Sequence, residues 1–278
     1  MSTFALKLLA VLCMTLDHIG EYIPGAPGWF RVIGRLAAPL FMFCLVWGFD
    51  YTRDRVRYVK RVYMASVLYG CLRLLLSGLQ FDLAGHNIFS TLFIILAFLM
   101  LIQSQHTWQW KVIVGMAWQG IGYILCVLTA NILVQCVVAN VFLCEGGVFW
   151  VTLGVVLYYI KNDNRNLIIG YTGICMMEEL ISMTAIGARI GYFISFHWPS
   201  AESIVEQISQ LLYGVSYQMI PMTVHGLYLG SVQWCMIFAL PFMLMYNHKK
   251  GRSWKYFFYV YYPLHLIVLS GIGIWMSV

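Results

Sequence analysis

Charge is what this sequence has least of. Only 10% of its 278 residues are Asp, Glu, Lys or Arg, against about 25% in an ordinary soluble domain. That excludes a water-soluble globule and points to a chain that crosses a membrane many times. Acidic residues are scarcer than basic ones, 11 against 17, which leaves a net charge of +6. The basic residues nevertheless sit in short clusters between apolar runs, as cytoplasmic loops do, so no nucleic-acid partner is expected. The eight cysteines contain no C-x-x-C pair, which removes the usual zinc and redox motifs and leaves them as small membrane hydrophobes. Also absent are H-E-x-x-H and other metal-ligand spacings, a Gly-rich phosphate loop, a G-x-S-x-G elbow and a kinase set. No metal is expected. The first apolar run lacks a small-residue cleavage site, so it is expected to remain as a helix rather than be removed as a signal peptide.

What the sequence has is apolar length: 61% hydrophobic and 16% aromatic residues. A spanning helix needs roughly 20 mainly apolar residues, and lipid forces the backbone to satisfy itself as helix. The pattern predicts spans at about Phe4–Ile23, Val32–Tyr51 after the turn "APGW", Val62–Ser77, Ile88–Gln103, Leu167–Ala185, Tyr228–Tyr246 and Tyr256–Met276. From Lys111 to Cys144 the chain is too long for one span, and "GGVFWVTLGVVLYYI" follows it. The clusters "RDRVRYVKR", "KNDNR" and "HKKGRSWK" should all face the cytoplasm. This puts the N-terminus inside, makes about Val127–Cys144 an outer or re-entrant excursion, and gives about nine spans within a range of eight to eleven. The 189–224 segment, with Arg189, His197, Glu202 and Glu206 among aromatics, reads as a cap lying in the outer interface. The expectation is one all-α domain over residues 1–278, a polytopic helix bundle of the cytoplasmic membrane.

Ionisable groups inside such spans are costly and mark function by default. In "LKLLAVLCMTLDHIGEYIP" Lys7 and His18 are eleven positions apart, which returns to one helix face about 16 Å further along. A cation near the inner end and an imidazole in the outer half suit a long donor molecule with a phosphate at one end and a reactive group at the other. Asp17 points about 100° away from His18, and Glu21, three residues on, is the better-placed neighbour. Arg35 stands one turn before Pro39, which is expected to kink the helix. Arg35 could clamp a carboxylate, phosphate or thioester oxygen and could equally pair with Asp17 or Glu21, two compatible roles. His86 and Asn87 are placed to cap the fourth helix. His265, two residues after Pro263, puts a second imidazole at membrane depth.

The blocks "LKLLAVLCMTLDHIG", "GRLAAPLFMFCLVWGF", "HNIFSTLFIILAFLML", "EGGVFWVTLGVVLYY" and "FFYVYYPLHLIVL" resemble the TraX family, whose founding member acetylates the N-terminus of conjugative F pilin. A basic residue, ten positions and then a histidine in the first helix is also similar to larger transmembrane acyltransferases that acetylate carbohydrates. The resemblance implies transfer of an acetyl or other acyl group from cytoplasmic acetyl-CoA to a peptide, glycan or lipid acceptor. It makes His18 the general base or transient acyl carrier and Asp17 its orienting group. Lys7 and Arg35 would hold acyl-CoA, and Asn87, Glu145 and His265 would line the acceptor site. The middle block "CEGG" departs from the family pattern and leaves the acceptor open. Two other readings of the buried polar groups stand beside this one: a proton-coupled transporter or flippase using Asp17, His18 and His265, and a scaffold in which they only pair helices.

Overall fold

A computed structural model describes residues 1–78, 81, 83, 87–184, 193–194, 196–201, 232–252 and 254–277. His86, Ala185, residues 228–231 and most of the 189–224 segment lie outside the described residues. Among the described residues all regular structure is helical: α1 (Thr3–Tyr22), α2 (Trp29–Gly34), α3 (Ala37–Tyr51), α4 (Arg55–Gly78), α5 (Ile88–Gln103), α6 (Trp108–Thr129), α7 (Ile132–Val138), α8 (Gly147–Ile160), α9 (Asn164–Thr184), α10 (Leu240–Leu244) and α11 (Lys255–Ser277). Short 3-10 helices occupy Pro199–Ala201 and Gln233–Ala239.

Four of these segments are long and apolar enough to cross a membrane: α1, α2 with α3, α6, and most of α11. The apolar helices α5, α8 and Gln233–Leu244 are shorter. The stretch from α2 to α3 is 72% buried in its most apolar window, against 22–33% for the other three. It is the central post of the bundle. Leu40, Met42, Val46 and Phe49 on α3 are sealed against Ile94 and Leu99 of α5 and Leu153 and Leu157 of α8. By contrast α6 turns Ile113, Met116, Ile121 and Leu128 outward, the side a lipid-facing helix would present.

Three local departures from the sequence reading have physical causes. The second span is interrupted at Arg35 and Leu36, between α2 and α3. Pro39, four residues on, has no N–H to offer the Arg35 carbonyl, so the break falls one turn before the proline. The basic cluster "RDRVRYVKR" is not wholly a loop: α4 starts inside it at Arg55, with the Asp54 carboxylate accepting from the Arg57 amide at 2.9 Å, and Arg and Lys are good helix formers. The apolar run after Lys111 resolves into the full-length α6 and the seven-residue α7, with left-handed residues Ala130 and Ala139 ending the two helices. Asn131 starts α7 by accepting from the amides of Leu133 and Val134. At about 1.5 Å per residue, α7 is far too short to span.

The chain's start is tied to its last loop. The amides of Thr3 and Phe4 donate to the carbonyls of Lys249 and Lys250 at 2.9 and 3.1 Å, and Asn247 donates to the Met1 carbonyl. Gly251 makes this possible. Its φ of +72° is left-handed, and a Cβ there would meet Ser2 Oγ at 2.7 Å and Phe4 Cβ at 3.0 Å. Gly251→Val should therefore cost about 1–3 kcal/mol, read as a lower midpoint in thermal unfolding of the detergent-solubilised protein; an unchanged midpoint would show that this loop does not depend on the glycine.

Candidate functional site

Helix α1 begins at Ser2, whose hydroxyl accepts from the Ala5 amide at 3.2 Å, and it carries both Lys7 and His18. His18 is buried, and its Nδ1 lies 2.8 Å from Nε2 of His265, which is buried on α11. The two rings are 4.9 Å apart between centroids. Local helix geometry nominates Glu21 as the partner of His18, but the Glu21 carboxylate accepts from Arg31 at 3.0 Å. A contact across the bundle supplies the neighbouring imidazole.

Asp17 faces the start of the second span. Its Oδ1 is 3.1 Å from Arg31 Nη1 and 3.3 Å from Arg35 Nη2. Arg35 also donates to Gln233 Oε1 at 3.2 Å. Of the two readings of Arg35, pairing with Asp17 is the one this geometry displays. Gly34 lets α2 come this close to α1, because a Cβ there would collide with the Asp17 side chain. Arg31 has no mark in the sequence beyond standing four residues before Arg35, one helical turn away.

Asn87 caps α5 by accepting from the Ser90 amide at 3.3 Å, while its amide nitrogen reaches the Ser66 carbonyl and hydroxyl and Cys136 Sγ. These bonds make it a brace between α4, α5 and α7. Glu145, in the turn before α8, accepts from Thr91 through its carbonyl at 2.7 Å and lies 3.5 Å from the Tyr262 hydroxyl through its carboxylate. The Tyr262 ring is 5.7 Å from the His265 ring, so Glu145 connects to the histidine pair through one tyrosine. Burial pushes the thiol of the neighbouring Cys144 up to about 11, which disfavours the thiolate, its reactive form.

A cavity of about 310 Å³ runs beside α1. At one end it is lined by Lys7, Arg61, Lys250 and Arg252, with Phe4 and Trp254 among them. Its apolar wall includes Val11, Phe41 and Leu92, and Met14, Ile88, Phe89 and Tyr262 line it further along the helices. Met14 is one turn before His18, and Tyr262 is three residues before His265. Neither imidazole lines the cavity itself; Met14 and Tyr262 are the lining residues that stand one turn before them on α1 and α11. Lys7 Nζ sits 5.6 Å from the Phe258 ring centre, a cation–π distance. Arg61, Lys250 and Arg252 belong to clusters that the sequence presents only as topological markers. Among the described residues no group of three or more His, Cys, Asp or Glu could hold a metal ion.

Comparison with known proteins bears on these residues. The family model described as TraX protein matches residues 2–195, which include Lys7, Asp17, His18, Arg35, Asn87 and Glu145 but not His265. The chain is similar to the probable fimbrial assembly protein FimC, serogroup H1, of Dichelobacter nodosus, with 35% identity over 71 residues covering 24% of this chain and 29% of that protein. It is also similar to an uncharacterized protein of Rickettsia prowazekii (strain Madrid E), with 43% identity over 54 residues covering 19% of this chain and 21% of that one. The chain thus spans less than a third of the length of either curated relative. No solved structure matches it.

The ion cluster predicts its own energetics. The side chains of Asp17 and Arg35 are 18% and 17% exposed, neither surface nor core. Asp17→Asn should cost about 1–3 kcal/mol, the range for leaving a partly buried charged partner unsatisfied. In a double-mutant cycle with Arg35→Gln the two costs should fall short of additivity by at least about 0.5 kcal/mol. Strict additivity in denaturant unfolding would mean the pair is not energetically coupled.

Proposed function

Because the chain belongs to the TraX family, we propose that it is a membrane acyltransferase that moves an acetyl group from acetyl-CoA to an amine or hydroxyl of an envelope acceptor. The observation that carries this reading is the cavity beside α1, which is lined by four cations and extends to Met14 and Tyr262, each one turn before a histidine of the buried pair. Its volume of about 310 Å³ falls at the lower end of small-molecule sites, enough for the thioester arm with the nucleotide left at the charged mouth. Lys7, Arg61, Lys250 and Arg252 would hold the phosphates, as ammonium and guanidinium groups do. Phe4 and Trp254 offer aromatic faces beside them. Val11, Phe41 and Leu92 would receive the uncharged arm.

The donor, when bound, supplies an acyl group already activated as a thioester, so the protein mainly has to orient an acceptor and remove its proton. His18 is the residue for that step, since imidazole ionises near neutral pH and a positioned base contributes about 10²–10⁴ in rate. A dry site would also limit loss of the thioester to water. In this reading Asp17 with Arg31 and Arg35 holds α1 against α2, and Glu145 with Tyr262 borders the acceptor side. In this reading the basic mouth and the N-terminus face the cytoplasm, as the positive-inside bias favours, and the membrane is the cytoplasmic one. The likeness to FimC, a probable fimbrial assembly protein, favours a pilus or fimbrial subunit as acceptor.

Envelope fractions from cells with and without the protein, incubated with labelled acetyl-CoA and compared by mass spectrometry, test the reading. An acceptor heavier by one acetyl group should appear only with the protein. His18→Ala should reduce its formation by about 10²–10⁴-fold, and equal transfer by that variant would defeat the assigned base. The double variant Lys250→Ala, Arg252→Ala should raise KM for acetyl-CoA about tenfold, equivalent to about 1.4 kcal/mol of binding, with kcat much less changed.

A further inference from the structure

The geometry points to a two-imidazole proton shuttle: His265 fixes the tautomer of His18, makes Nε2 of His18 the proton-accepting atom, and shares the proton that it takes. This rests on the acyl-transfer reading for its chemistry but on hydrogen bonds alone for its geometry. A backbone carbonyl can only accept. The 2.9 Å contact between His265 Nδ1 and the Tyr261 carbonyl therefore fixes a hydrogen on Nδ1. In the neutral ring Nε2 then carries the lone pair. Its neighbour at 2.8 Å, His18 Nδ1, must be the donor. His18 thus holds its own hydrogen on Nδ1 and its lone pair on Nε2, the arrangement a base needs if Nε2 is to face the acceptor.

The second ring is itself braced. Tyr261 stacks on His265 with the planes 9° apart and the centroids at 5.1 Å. The Thr15 hydroxyl donates to the Val11 carbonyl at 2.8 Å, so in the 2.7 Å contact between Thr15 and Tyr261 it is the tyrosine hydroxyl that donates. That bond pins α11 to α1 one turn before His18. Asp17, where a triad pattern looks for the orienting carboxylate, is engaged by Arg31 and Arg35. The orienting acceptor is a neutral imidazole.

The chemistry balances. As the acceptor nitrogen or oxygen bonds to the acyl carbon, its proton passes to His18 Nε2. The Nδ1 hydrogen of His18 can then move along the 2.8 Å bond to His265 Nε2, spreading one positive charge over two buried rings. The carbon–sulfur bond breaks, the leaving thiolate takes the proton back from His18 Nε2, and the hydrogen between the rings returns to His18 Nδ1. Both imidazoles end neutral. His265 touches no reacting atom, so it is a positioning residue, and its replacement should lower kcat without changing donor binding.

The test uses the full-length protein in lipid nanodiscs, grown with ¹⁵N-histidine and kept at alkaline pH so that both rings are neutral, with the His18 signals identified by their loss in His18→Gln. The expected result is a His18 ring protonated at Nδ1 and unprotonated at Nε2. That preference should disappear in His265→Ala and persist in His265→Gln, whose side-chain carbonyl can accept the same hydrogen. In parallel, acetyl transfer from labelled acetyl-CoA to an envelope fraction should fall about 10²-fold in kcat for His265→Ala, with KM for acetyl-CoA unchanged and partial recovery in His265→Gln. A wild-type His18 protonated at Nε2, or a tautomer indifferent to His265→Ala, overturns the shuttle. Transfer that depends on His18 but ignores His265 also overturns it while leaving the acyl-transfer reading intact. If the wild-type protein transfers no acetyl group, that reading fails, and the nitrogen signals still decide the tautomer.

Discussion

The bond between His18 and His265 is the interaction around which the site is arranged, because it joins the first described helix to the last across the interior of the bundle. Water is scarce there, so a ring nitrogen without a partner would cost free energy. Each imidazole relieves the other. Their bond also fixes the register of α1 against α11, since Thr15 and Tyr261 meet on the same seam and Phe4 and Phe258 meet further along it, near the start of both helices. Once the two helices are locked in this way, the wall of α1 between Lys7 and Met14 becomes one side of the cavity.

The ion cluster of Asp17, Glu21, Arg31 and Arg35 has a different part. It ties α1 to the central post of α2 and α3. Two arginines shared between two carboxylates bring the local charge to zero, which is how a bundle of low polarity tolerates ionised groups near its core. The break before Pro39 places Arg35 at the junction of α2 and α3.

Much of the site was legible in the sequence because costly residues in an apolar helix are conspicuous. Lys7, His18 and Asp17 stand out in α1 for that reason, and the mutual spacing of Lys7 and His18 along one face follows from helix geometry alone. Spacing arguments see only neighbours three or four residues apart, however, so they nominate Glu21 for His18; His265, 247 positions away, stands out as a second imidazole at membrane depth but not as the ring that bonds to His18. Arg61, Lys250 and Arg252 were visible but counted as topology, because a basic cluster says on which side a loop lies and not what its side chains surround. The all-helical membrane architecture follows from composition. A count of spans does not, since α5 and α8 have 16 and 14 residues, fewer than the roughly 20 that a simple span needs, and α4 carries its own basic cluster.

The distribution of the site along the chain has a consequence for biosynthesis. Lys7 and Arg61 enter the bilayer early, whereas Lys250, Arg252 and His265 belong to the last tenth or so of the polypeptide. On the acyl-transfer reading, a nascent chain that has inserted only α1 to α9 would hold His18 but neither His265 nor Lys250 and Arg252. The same reading would make activity wait until α11 has packed against α1.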